Sequence, residues 1–341
     1  MYSIGLDISK ASISVHIPIN SLNLEIDNTN VALKALYSKL KKLYKKDLDK
    51  LTFVYEPTGS YSFLTKKFCA DKNIKSFIIN PKQSSNFAKA LGNRSKSDKI
   101  DAIMLSKAIA IARVDEIRVP VINETLETIK EMMSYYKFTV KQRVALGNHN
   151  EALSCKDGNK YTLKNIAKRL KSFKEEEIEI LDKIKEIIES DDKLSKTYAN
   201  IQTIPGIGKI AGIVLVHLFI SYPNASKNQI VSLTGLDPII KDSGTSVKGK
   251  PRISKAGIKL YRGGLFMATM VAIKYNEQMK EFYNRLKDNG KHSTVAQIAV
   301  MRKLIVIAHS LYKNNCIYSA EVYEKACGKY TVNYDENGVI T

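Results

Sequence analysis

The sequence predicts an α/β domain on a mixed sheet, then a long helical region, then a second, mostly α-helical domain. Three observations predict it. Five apolar runs of strand length fall within the first eighty residues, two of them alternating with helical patterns. From Thr125 to about Ala199, Lys and Glu dominate while Ile, Leu and Phe recur at three- and four-residue steps. At Ile201 the texture changes to glycine-punctuated apolar helices. The boundaries fall at 1–118, 119–200 and 201–329, with 330–341 as a loose tail.

The 341 residues suffice for two or three domains with a sizeable core, and 44% hydrophobic with 26% charged residues is ordinary for a globular chain. The informative quantity is charge: 54 Lys+Arg against 34 Asp+Glu, a formal +20. That excess is spread from Lys34 to Lys329, so a polyanion is the default partner, and nucleic acid contacted by several faces suits it better than one basic tail. No segment reaches the roughly 18 uninterrupted apolar residues of a membrane span, and Met1-Tyr2-Ser3-Ile4-Gly5 is no signal peptide, so a cytoplasmic location is expected. Cys69, Cys155, Cys316 and Cys327 lack metal-ligand spacing and read as reduced and structural. The five histidines are scattered, which argues against zinc.

In order, residues 2–8 read as a strand, Ser9-Lys10-Ala11 as a hairpin turn, and Ile13, Val15 and Ile17 alternate with polar residues as a second strand. A third strand, 22–26, leads to Asn28-Thr29-Asn30, which can cap a helix with Leu33, Leu36, Leu40 and Leu43 on its inner side. Residues 51–55 form a fourth strand ending at Glu56, and Ile74 to Ile79 a fifth ending at Asn80-Pro81. A helix headed by Ser95-Lys96-Ser97-Asp98-Lys99-Ile100-Asp101-Ala102 closes the domain, with Ser95 or Ser97 as its cap.

Asp98 and Asp101 share the first turns of that helix, and like charges held so close repel unless a cation joins them. Set between Arg94, Lys96 and Lys99, they suggest Mg²⁺ facing a phosphate; the alternative is a capped helix whose acids only favour its N-terminal dipole. Asp7 in the first strand and Glu56 at the end of the fourth could converge on them, because ligand-contacting residues of α/β sheets gather at strand ends. Otherwise the two are solvated strand-end charges.

In the middle region Leu163, Ile166, Leu170, Phe173, Ile180, Ile184 and Ile187 form a heptad stripe broken at Glu177, where Ile178 is positioned to take over. A coiled-coil arm and a plain helical hairpin fit equally. Beyond it, Ile204-Pro205-Gly206-Ile207-Gly208-Lys209 before an apolar helix looks like a helix-hairpin-helix, with Gly206 and Gly208 letting backbone N–H groups, and Lys209, approach a phosphate. Gly-mediated helix packing is the other reading. Residues 241–257 read as a small-residue loop packed with cations: Lys241 to Arg262 holds seven basic residues and one acid. Lys248, Lys250, Arg252, Lys255 and Arg262 are there to hold a phosphate backbone. A serine among them could attack that phosphate, or the serines could only donate hydrogen bonds.

These residues together resemble the DEDD transposases of bacterial insertion-sequence family 110, related to pilin-gene DNA invertases. The likeness runs nearly end to end. It is carried first by Gly5-Leu6-Asp7-Ile8-Ser9-Lys10, Glu56 with Thr58-Gly59 and Tyr61, Asn80-Pro81, and Lys96-Ser97-Asp98 with Asp101-Ala102. The second half adds Pro205-Gly206-Ile207-Gly208, Gly235-Leu236 with Pro238, Ser243-Gly244, Ser254-Lys255 with Gly257, and Met301-Arg302-Lys303-Leu304. The resemblance implies an RNase H-like (RuvC-like) domain in which Asp7, Glu56, Asp98 and Asp101 bind Mg²⁺, or in its place Mn²⁺. It further implies a coiled coil and a transposase domain whose serine nucleophile maps to Ser243, with Ser246 and Ser254 close enough to compete. The implied partners are donor and target DNA, a structured non-coding guide RNA from the element, and further copies of the chain, as dimers assembling to a tetramer. Pro57 stands where Ala is usual, Ser97 where Thr is usual, and Ile239 where a basic residue is frequent. Two alternatives differ in class: a RuvC-like, metal-dependent junction-resolving nuclease that uses water, and a non-catalytic nucleic-acid-binding protein.

Overall fold

The computed structural model describes residues 2–92, 97–243 and 247–326, with backbone alone for 240–243, 247–251 and 326. The chain divides into two compact units, Met1–Asn123 and Glu124–Thr341, each described here by itself.

In the first unit, strands β1 (Tyr2–Ile8), β2 (Ser12–Ile17) and β3 (Leu22–Asp27) form an antiparallel meander, and β4 (Leu51–Tyr55) and β5 (Lys75–Ile78) follow parallel to β1. The sheet order is β3-β2-β1-β4-β5. Helix α1 (Asn30–Tyr44) starts at Thr29, whose side chain accepts from the Ala32 N–H, and buries Leu33, Leu36 and Leu40. With α2 (Phe63–Asp71) it covers one face, in a core holding Ile4, Leu6, Phe53, Tyr55 and Phe68. The other face carries a smaller core of Val54, Phe77, Ile79, Met104, Leu105 and Ala108. Helix α3 (Pro81–Ala90) is capped by Asn80, and α4 (Asp98–Lys107) by Ser97, whose Oγ accepts from the Ile100 N–H at 3.3 Å. Ser95, the other candidate cap, lies outside the described residues together with Arg94 and Lys96.

Helix α4 crosses β1 at Gly5, where any Cβ would stand 1.9 Å from the Ala102 carbonyl oxygen. Only glycine lets a strand and a helix backbone come that close.

The second unit opens with α5 (Glu124–Ser154) and α6 (Lys160–Glu189), a helical hairpin whose second helix is capped by Asn159. Ile166, Ile180, Ile184 and Ile188 are buried along it. At the break in the stripe, Arg143 Nε donates to Glu177 Oε1 at 2.6 Å, and Ile178 is 60% exposed, so the expected substitution of Ile178 into the stripe does not occur. An inward carboxylate is stable there because it has a guanidinium partner. The roots of both helices join one core with the rest of the unit, Ile129 and Ile184 among residues such as Leu215 and Leu304. The base of the helical hairpin therefore packs into the same core as the helices that follow it.

Helices α7 (Asp192–Gln202), α8 (Lys209–Ser221) and α9 (Lys227–Thr234) follow; α8 is buried from Ala211 to Phe219 and α9 begins with a Ser226–Gln229 capping box. Strands β6 (Pro238–Ser243) and β7 (Val247–Ile253) then pair antiparallel. The segment expected as a loop is thus a β-ribbon, whose pairing slips by one residue between Ile239–Arg252 and Lys241–Gly249; this bulge on β7, together with small residues and cations, breaks the period-two pattern that would mark a strand. Helices α10 (Lys259–Tyr275), α11 (Glu277–Asp288), α12 (Ser293–Asn314) and α13 (Ala320–Ala326) complete the unit. By length and composition α12 could cross a membrane, but Val300, Met301, Leu304, Ile305 and Ala308 are core residues and Arg302 and Lys303 interrupt it.

Candidate active site and nucleic-acid interface

In the first unit, strand register brings two acids together. Leu6 pairs with Tyr55 in parallel β1 and β4, so Asp7 and Glu56 follow side by side at the C-terminal ends of neighbouring strands. Asp7 has the parity of Gly5, and Glu56 that of Val54, which places both on the face that α4 covers. Asp98 and Asp101 occupy the first turn of α4. Both strand ends are tied by Asn28, whose Nδ2 donates to the carbonyls of Ser9 and Tyr61, 3.0 Å each.

Register thus sets Asp7 and Glu56 on the face that α4 covers, with Asp98 and Asp101 at the start of that helix, but among the described residues no three carboxylate, His or Cys side chains are close enough to hold a metal ion. The donor chemistry nevertheless fits a hard divalent cation: all four are carboxylates, and the buried Asn28 Oδ1 and Thr58 Oγ1, at the same strand ends, have no hydrogen-bond partner. The sequence marks Asn28 only as part of a helix cap and Thr58 only as part of the Thr-Gly pair after Glu56, neither as a site residue.

In the second unit, Gly206 has φ +105° and packs against α10, since a Cβ there would lie 2.7 Å from Ala272. Gly208 is exposed at the N-cap of α8 with open space beside it. Lys209 Nζ lies 3.2 Å from Asp182 Oδ1 with both side chains about half exposed, a pair that water largely screens. Of the turn, then, Gly206 serves helix packing and Gly208 leaves its backbone accessible.

The ribbon rises from a hydrogen-bonded root. Arg262 Nη1 donates to the carbonyls of Thr234, at 2.7 Å, and Gly257, at 3.0 Å. Ser254 Oγ donates to Asp237 Oδ1 at 2.6 Å, the Ser254 N–H to the Asp237 carbonyl at 2.9 Å, and the Lys255 N–H to the Gly235 carbonyl at 3.0 Å. Gly235 and Gly257 lie against each other, a Cβ on Gly257 falling 2.4 Å from the Gly235 nitrogen. Of the basic residues expected to face phosphate, Arg262 is therefore engaged in holding this root, while Arg252 and Lys255 are exposed. Lys248 and Lys250 occupy alternate positions of β7. Ser243 ends β6 opposite Val247, and Ser246 lies outside the described residues.

A further cation was missed by sequence reasoning because its neighbour is distant in the chain. Lys137 of α5 is half-buried beside α10, its Nζ 3.7 Å from where a Cβ of Gly263 would be. Burial, and then the nearby Lys259 charge, hold its pKa below the usual lysine value.

The mixed sheet followed by a mostly helical region agrees with what comparison with known families shows: the molecule is among the DEDD transposases, DNA recombinases with an RNase H-like domain that work by phosphoryl transfer. A model described as "Transposase", for the DEDD domain of IS110-type elements, matches residues 4–153, and one described as "Transposase IS116/IS110/IS902 family" matches residues 198–284. The chain belongs to the IS110 transposase family. It is 28% identical over 281 residues to the pilin gene-inverting protein of Moraxella bovis, covering 80% of this chain and 84% of that protein, with the same figures for that of Moraxella lacunata. It is also 24% identical over 123 residues to an uncharacterized 43.6 kDa protein of insertion element IS110 from Streptomyces coelicolor, covering 35% of this chain and 30% of that protein.

Proposed function

We propose that this chain cuts and rejoins DNA at the ends of an insertion sequence and its target, guided by a structured RNA of the element, with Ser243 as nucleophile. The observation that carries the reading is the pairing of two features: Asp7 and Glu56 in register on the face that α4 covers, and a serine at the far end of a basic β-ribbon. Either alone would suit a nuclease or a binding protein; the two together fit a recombinase that stores bond energy in a serine–phosphate link at a metal-assisted site.

Asp7, Glu56, Asp98 and Asp101 would hold Mg²⁺ or Mn²⁺, which when bound would supply Lewis-acid polarisation of the scissile phosphate. Lys248, Lys250, Arg252 and Lys255 clamp the DNA backbone, with Lys137 and Lys259 as a second cationic patch. Gly208 offers an N–H at the head of α8 to a phosphate. Ser243 Oγ attacks the phosphorus, the bond to the leaving strand end breaks, and the phosphoserine diester stores that bond until the new partner's hydroxyl displaces the serine. Base pairing with the RNA reads sequence, while the protein contacts backbones. Assembly as dimers and then a tetramer supplies one active centre per strand break, in the cytoplasm where the DNA is.

The test is to incubate the protein with RNA transcribed from the element's flank, Mg²⁺, and donor and target duplexes, and to resolve covalent protein–DNA adducts. An adduct on the wild type that disappears in Ser243→Ala supports the reading. Metal-dependent hydrolysis with neither adduct nor joined product would replace it with a junction nuclease.

A further inference from the structure

We propose that Asp237, Ser254 and Arg262 form a clamp at the root of the β6–β7 ribbon that aims Ser243, making Asp237 and Ser254 positioning residues for strand exchange. The inference rests on the reading of Ser243 as nucleophile.

Ser243 lies five residues beyond Pro238 along β6, about 17 Å at about 3.4 Å per strand residue. A two-stranded ribbon has no neighbouring strand to brace it, so its direction is set where it leaves the helices and at the register shift between Ile239 and Lys241, just beyond that root. A tilt of about 10° at that root would move the far end by about 3 Å, while a misplacement of about 1 Å can cost about a hundredfold in rate.

The root is correspondingly tied. Arg262 joins the end of α9, at Thr234, to the segment entering α10, at Gly257. One step outward, Asp237 and Ser254 make one side-chain and one backbone bond just before Pro238 pairs with Ile253. The close approach of Gly235 to Gly257 allows no side chain between these layers.

Ser254 and Asp237 at 2.6 Å also have the spacing of a nucleophile and its base. The surroundings favour the clamp. Ser254 Oγ accepts from the Ala256 N–H at 3.3 Å, and its own N–H is bonded to Asp237, so the residue is held from both sides. An alkoxide formed there would also face a carboxylate charge.

The two roles separate experimentally in full-length protein with its RNA and DNA. Adduct formation is timed at saturating DNA, DNA affinity is measured in parallel, and the modified serine is located by peptide mapping. The clamp predicts that Ser254→Ala slows adduct formation about tenfold with affinity and melting temperature near wild type, the adduct still on Ser243, and that Ser254→Thr restores much of the rate. Asp237→Asn, which keeps an oxygen acceptor, stays within about threefold of wild type, whereas Asp237→Ala behaves like Ser254→Ala. Wild-type rates in both alanine variants would overturn the clamp, as would a rate loss wholly matched by lost DNA affinity or unfolding. An adduct mapped to Ser254, or one lost in Ser254→Ala and kept in Ser243→Ala, would overturn the nucleophile assignment itself.

Discussion

Lys137 and His217 show how burial sets the work of single side chains. Lys137 is half withdrawn from water with Lys259 nearby, an arrangement that a phosphate would relieve. Replacing it with Met keeps the stem and removes the charge. The slope of log K against log salt for DNA binding should then flatten by about 0.9, with Lys137→Arg unchanged; an unaltered slope for Lys137→Met would exclude a backbone contact. His217 sits inside α8 with Nδ1 3.0 Å from the Tyr261 hydroxyl, and burial foremost, then Lys130, pushes its pKa down to about 4. Folding keeps this ring neutral, whereas the unfolded chain takes up a proton near its ordinary 6.5. Its contribution is whole above pH 6.5 and is lost as pH falls from there to about 4, up to about 3 kcal/mol. Denaturant titrations across that range should show the loss, and His217→Gln should reduce it. The acids on strand ends were legible because a charge that terminates an apolar run stands out. Asn28, Asp237 and Lys137 were not, since their partners lie nineteen or more, seventeen and well over a hundred positions away.

At the scale of elements, all five strands of the first sheet and its capped helices follow from period and capping residues. The serine ribbon did not: Gly249 and Pro251 depress strand propensity, and only the pairing of Val247 with Ser243 and Ile253 with Pro238 makes the segment a ribbon. The arm's stripe was legible but its break was misassigned to Ile178, because Glu177 is inward only by virtue of Arg143 on the other helix. Glu177→Ala, which strands a partly buried guanidinium, should destabilise the second unit by about 1–3 kcal/mol; Arg143→Met with Glu177→Leu should recover most of that in thermal unfolding. Gly206→Ala should cost about 2 kcal/mol or more, since it combines a positive φ with a 2.7 Å approach to Ala272.

For the whole molecule, each unit has its own hydrophobic core, so residues 1–123 expressed alone should unfold cooperatively in calorimetry; a chain without a transition would show that this core depends on the second unit. Composition alone announced a partner, because a charge of +20 on a chain of ordinary hydrophobicity calls for a polyanion. Alternation, capping and the order of motifs, all local properties, were enough to define two kinds of domain and the family. What required three dimensions was every relation between distant segments: the register that sets Asp7 beside Glu56, the glycine that lets α4 reach the sheet, and the bonds from Asp237 and Arg262 that root the ribbon. Local periodicity depends on neighbours within a turn or a strand, whereas register and close approach are chosen by packing over the entire core, which no short stretch of chain encodes.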